Sequence, residues 1–219
     1  MRPGAALPAL LLLAACGDAS EAPDPTAAPS PAATPDKPRT LVAADLATVR
    51  LGDRIAGSDG AEVVGEFVVD GDTLATVVSY VACPQGGTPC DPAALPEDTV
   101  YTYVHRVTPA EGVESAAVFR TARKARGFAN GVGFDRREAE SAVGAGGRID
   151  VSADNGALVW RVVGGDGWKA GETITFYWQS TVPPDGSREA YQFEADGSTA
   201  LGSGPFPPRE KPADEAGAR

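Results

Sequence analysis

The sequence predicts an all-β fold, an antiparallel β-sandwich of immunoglobulin-like or jelly-roll-like kind with roughly eight to ten strands and one short helix. Three observations carry that expectation. Residues 41–207 are built of short runs rich in β-branched and aromatic side chains. Asp-Gly, Asn-Gly and Gly-Gly dipeptides separate those runs, and such pairs accept the positive φ angles of tight hairpin turns. Several runs also alternate with period two: Ile174, Phe176 and Trp178 share a face, as do Leu158, Trp160 and Val162, and Tyr191 with Phe193.

The N-terminal segment has a different character. Arg2 gives it a positive start, residues 7–13 are an apolar run, and Leu13-Ala14-Ala15-Cys16 closes it with two small residues before a cysteine. A membrane-spanning helix needs about 20 apolar residues, and Pro8 interrupts a run already shorter than that. The segment resembles the signal of a bacterial lipoprotein, on residues up to Cys16 alone. The resemblance implies cleavage before Cys16, a lipid on its thiol and a further acyl chain such as palmitate on the new amino group. The membrane is then a partner through the anchor. In a diderm host, Gly17 rather than aspartate after the cysteine implies the outer membrane, with the protein in the cell envelope facing the periplasm; the composition is equally that of a monoderm host's lipoprotein.

Residues 1–15 thus read as the signal peptide and 16–40 as a disordered tether. The tether is Ala/Pro/Ser/Thr-rich with almost no large apolar residue, so it cannot offset its ordering entropy. Within the domain at 41–207, strands are expected at 63–69, 73–81, 99–107, 114–121, 148–152, 157–163, 173–180 and 188–194. Residues 135–143 read as the helix: Asp135 caps it, Glu138 completes a capping-box-like pair, Ala139, Ala142 and Val143 share a face, and Gly144 ends it. Residues 208–219 are polar and charged and read as a disordered tail.

Cys83 and Cys90 remain as an even pair in C-P-Q-G-G-T-P-C on an exported chain, which reads as a disulfide. Closing so small a loop contributes roughly 2–2.5 kcal/mol on the chain-entropy model. A two-thiolate metal site would lack further ligands nearby, and the spacing is not that of a C-x-x-C redox pair.

The chain also echoes itself. With one insertion at Val182, the stretch from Thr102 to Phe119 aligns with that from Thr175 to Phe193, matching Thr102/Thr175, Thr108/Thr181, Pro109/Pro183, Gly112/Gly186, Ala116/Ala190 and Phe119/Phe193. Upstream, Asp70-Gly-Asp-Thr-Leu74 falls over Asp154-Asn-Gly-Ala-Leu158. A duplicated four-strand unit, with halves at 41–126 and 127–207, explains both matches.

A net charge of -11 argues against a general nucleic-acid binder. His105 is the chain's one histidine, and its counterpart in the echo is Trp178, so it reads as a packing or surface position. No nucleophile elbow accompanies it. The aspartates at turns, Asp70, Asp72, Asp150, Asp154 and Asp166, have a backbone reason to be there, and none shows calcium-loop spacing. No cofactor, metal or catalytic residue is assigned. Six of the nineteen cations, Arg120, Arg123, Lys124, Arg126, Arg136 and Arg137, fall close together and form a candidate anion-binding site, with a flexible loop at Asn130-Gly131 gathering them over Phe128. Trp160 and Trp178 fall on apolar faces, which leaves Trp168 and Tyr177 as the candidate exposed aromatics.

The functional expectation is a lipid-anchored envelope protein whose sandwich is a non-catalytic binding or scaffold module for a protein or an anionic glycan. The alternative is a periplasmic hydrolase using paired carboxylates on envelope polymers.

Overall fold

The computed structural model describes residues 38–56, 62–87 and 89–209. The signal peptide, Cys16, most of the tether and the tail beyond Arg209 lie outside the described residues. The all-β sandwich is what forms. Its strands are β1 (Arg39–Thr40), β2 (Ala44–Asp45), β3 (Leu51–Arg54), β4 (Val63–Val69), β5 (Asp72–Pro84), β6 (Tyr101–Pro109) and β7 (Ala116–Thr121). They continue with β8 (Phe128–Phe134), β9 (Arg148–Asp154), β10 (Ala157–Val163), β11 (Ile174–Ser180), β12 (Ser187–Ala195) and β13 (Ser198–Pro205). The one α-helix, α1, is Arg136–Val143, and a 3-10 turn spans Leu46–Thr48.

One sheet runs β1-β9-β10-β7-β12-β13 and the other β2-β8-β11-β6-β5-β3, with β4 also on β5. Every pairing is antiparallel except that of β2 with β8. The long β5 serves two partners on one side, β4 along its first part and β3 at its end. Three hairpins turn where the sequence places Asp-Gly or Asn-Gly. Asp70, Asn155 and Asp196 take φ of 53°, 48° and 50°, each followed by a left-handed glycine.

Eight strands fall where alternation places them, and five more join them. β8 and β13 escape the pattern because glycine reads as turn, yet here it permits close approach. A Cβ on Gly133 would collide with the Ala44 carbonyl of β2, and one on Gly202 with the Phe67 ring. So the stretch from Phe128 through Asn130-Gly131 is a strand, not a flexible loop. β1 starts at Arg39, inside the segment read as tether.

The core lies between the sheets and is aromatic. Phe119 packs against Phe176 at 5.0 Å, Trp160 at 5.5 Å and Tyr191 at 5.8 Å between ring centroids. Trp178 stacks on Tyr103 at 4.3 Å. The helix is capped as expected at one end: the Asp135 carboxylate accepts from the Arg137 and Glu138 amides. Glu138 does not close a capping box, however. Its Oε2 accepts the Thr175 amide at 2.7 Å instead and ties α1 to β11.

The sequence echo has a structural counterpart over two strands of each copy. β6 lies antiparallel to β11 and leads to β7, as β11 leads to β12, and β7 lies antiparallel to β12. The matched residues Phe119 and Phe193 are direct cross-strand partners, and so are Val104 and Tyr177. This is a local two-fold relation. It stops there: the turn at Asp70 opens β5 in one sheet, whereas that at Asp154 opens β10 in the other. The halves 41–126 and 127–207 are therefore not separate bodies, because each sheet draws strands from both. Cys83 and Cys90 form the expected disulfide, with Cα atoms 5.7 Å apart.

Candidate functional site

The six cations divide among three places. Arg120 leaves β7 and lies 3.7 Å from Asp154, and its Nε is buried without a partner. Arg136 and Arg137 open α1, where Arg136 donates to the Ala43 carbonyl at 3.3 Å. They stand beyond the far end of β8, and seven residues of strand span roughly 20 Å. One six-cation cluster does not form, because β8 is extended and carries the two groups apart.

Arg123, Lys124 and Arg126 stay together on the β7–β8 connection. With Arg209 they line a cleft of about 440 Å³ whose other walls are Ala125, Gly127, Gly156 and the segment Phe206, Pro207 and Pro208. Among the described residues no acidic side chain lines it, and none of its four cations pairs with a carboxylate. The connection is fastened on both sides. The Ala125 amide donates to Gly156 at 2.8 Å, and Ser180 Oγ donates to the Arg126 carbonyl at 2.8 Å. The Arg126 guanidinium donates to the Pro208 and Arg209 carbonyls at 3.3 and 3.4 Å, so it holds the C-terminal wall in place. That leaves Arg123, Lys124 and Arg209 as the cations available to a ligand. Pro208 and Arg209, read from sequence as tail, are part of the site. Only the pairing of the last strand with β12 brings them there.

His105 is fully buried in β6 between the sheets. Its Nε2 accepts from the Trp178 indole at 3.3 Å, which can only donate. The proton of the neutral ring therefore sits on Nδ1 and donates to Ser79 Oγ at 2.9 Å. Burial lowers the imidazole pKa to about 3. A serine beside a histidine suggests a nucleophile and its base, but this ring gives its proton to the serine rather than taking one. The trio is a sealed packing element. Neither Ser79 nor Trp178 could be named as its partner from sequence, since their meeting depends on the register of β5, β6 and β11.

The turn aspartates keep local duties. Asp70 is in the left-handed position of its hairpin and Asp72 begins β5. Asp150 pairs with Arg148 at 3.1 Å, Asp154 with Arg120, and Asp166 with Lys169 at 3.6 Å. Among the described residues no cluster of three or more metal-ligating side chains occurs.

Trp168 and Tyr177 are not exposed; each is 1% accessible. Gly164, Gly165 and Gly167, all at positive φ, turn the chain so that the Trp168 ring enters the core against Phe176 and Phe193, both at 5.5 Å. Its indole N–H donates to the Glu172 carbonyl at 2.7 Å. Tyr177 does point away from Trp178, but α1 and the 3-10 turn pack on β11 and cover that face. The cleft thus gathers several cations that have no carboxylate partner among the described residues. No family model, curated protein or solved structure matches this chain.

Proposed function

We propose that this chain is a lipid-anchored envelope protein whose sandwich is a non-catalytic binding module for an anionic partner, held at Arg123, Lys124 and Arg209. The observation that carries the reading is the cleft. On a chain of net charge -11, three cations face an open space with no carboxylate partner among the described residues. Arginine offers paired N–H donors to phosphate or carboxylate, and lysine a point charge. The apolar floor of Ala125, Phe206 and Pro207 raises the strength of such contacts by excluding water on one side.

The anchoring half of the proposal rests on Leu13-Ala14-Ala15-Cys16. It is tested by growing cells with radioactive palmitate: the protein should carry label, and Cys16→Ser should not. Label retained by the variant overturns it. The binding half is tested by retention on an immobilised acidic polymer at low and high salt. Retention should fall steeply with salt, since exposed charges are screened over about 8–10 Å at physiological strength. Equal retention of wild type and Arg123→Ala/Lys124→Ala/Arg209→Ala at low salt overturns it.

A further inference from the structure

The chain enters and leaves the domain at the end that carries the cleft. Arg39 pairs with Ala153 at the sheet edge. β9 ends one residue later at Asp154, and the turn at Asn155-Gly156 follows directly. Gly156 is a wall of the cleft, and the Lys124 side chain lies over it. The chain departs through the opposite wall, at Pro208 and Arg209. Entry, exit and the cations without a carboxylate partner among the described residues therefore share one end. Among the described residues at this end, Asp154 pairs with Arg120 at 3.7 Å and Asp185 with Arg188 at 2.7 Å.

We infer that this end faces the bilayer and that the cleft takes the phosphates of anionic phospholipids; the inference rests on the lipid-anchored reading above. The segment between Cys16 and Arg39 joins the anchor to the domain at this end. A membrane surface is thus the anionic partner presented to the cleft without further search. The rest of an acidic protein is repelled by an anionic surface, while the cleft end is drawn to it, so the same field orients the body. Each lysine or arginine at such a surface contributes roughly fivefold in affinity, and three together roughly 100-fold. Arg136 and Arg137, about a strand length away, contribute nothing in this orientation.

The test uses full-length Cys16→Ser protein, which lacks the lipid, and phosphatidylcholine vesicles with and without phosphatidylglycerol. Sedimentation should show binding to the phosphatidylglycerol vesicles in excess of the neutral ones, lost at high salt. Adding Arg123→Ala/Lys124→Ala/Arg209→Ala should weaken that excess roughly 100-fold, with circular dichroism unchanged. Lys124→Ala and Arg209→Ala singly, each costing roughly fivefold, keep the test alive if the triple variant misfolds. Arg136→Ala/Arg137→Ala should bind as the parent does. No excess on phosphatidylglycerol, or equal loss in the helix variant, overturns the inference. If the protein then still binds acidic polysaccharide through the cleft, only the membrane assignment falls. If it binds neither, the anionic-partner reading falls as well.

Discussion

His105 and Lys124 are both basic side chains, yet the fold treats them in opposite ways. The imidazole is closed between the sheets, with Ser79 on one nitrogen and Trp178 on the other. The Lys124 stem lies across Gly156 in the wall of the cleft, and its ammonium meets no carboxylate among the described residues. Both ring nitrogens are met by hydrogen bonds, as most buried polar groups are, so the first region specifies the core. An exposed cation contributes little to stability, and its charge stays available to something outside the chain. Chemistry between the sheets is used up by folding, whereas at the cleft it is not.

The comparison is broken most directly at its buried side. His105→Ala should cost about 3–5 kcal/mol, because it leaves a cavity and orphans both Ser79 and the Trp178 indole. Denaturant unfolding measures it, and a loss under 1 kcal/mol would show that the trio does not hold the core. The pH dependence follows the same residue. Its folded pKa, about 3, lies below the ordinary 6.5, so the unfolded chain takes up the proton first as pH falls. His105 thus contributes full stability above pH 6.5 and loses about 1.4 kcal/mol per pH unit as pH falls toward 3. Between pH 6.5 and 4.5 the wild type should lose about 2–3 kcal/mol more than His105→Gln; parallel profiles would contradict the sealed neutral ring.

Smaller effects sharpen the open side. Cys83→Ala/Cys90→Ala should cost about 1–3 kcal/mol without abolishing the fold, and two free thiols in native protein by alkylation and mass would refute the staple. Arg126→Ala should cost about 0.5–1 kcal/mol and raise hydrogen exchange at Phe206, whose amide donates to Gly186 in the wall that Arg126 holds. Unchanged exchange would mean the wall stands without it. Least of all, Arg123→Ala/Lys124→Ala/Arg209→Ala should shift stability by under about 0.5 kcal/mol while losing binding. A large destabilisation would make these cations structural.

Much of the sandwich was legible because its strands alternate around large side chains, as at Ile174, Phe176 and Trp178. Of the unread strands, β8 and β13 are those where glycine replaces the outward or inward residue. At Gly133 and Gly202 the informative atom belongs to a neighbour, Ala44 or Phe67, and no local pattern contains it. Trp168 shows the same limit from the other side: a glycine-rich loop predicted exposure, while the turn it makes carries the ring inward. For the cleft, the sequence supplied Arg123, Lys124 and Arg126 as neighbours. It could not supply Arg209, 83 residues or more away, nor separate Arg136 and Arg137, which nearness along the chain joined to them.

The pairing of β6 with β11 and of β7 with β12 sets the order in which this domain can be built. Tyr101 must find Ser180, and Thr121 must find Tyr191, across most of the intervening chain. Loop closure of that length precedes any reward in buried area, so such topologies fold in milliseconds to seconds rather than microseconds. The first hairpin, β4 with β5, forms early and by itself buries little. Until β11 has emerged, β6 and β8 have no strand between them, and until β12 follows, β7 lacks its second neighbour, so both sheets remain incomplete. A polypeptide of this design completes both sheets only with its last strands, β11 to β13.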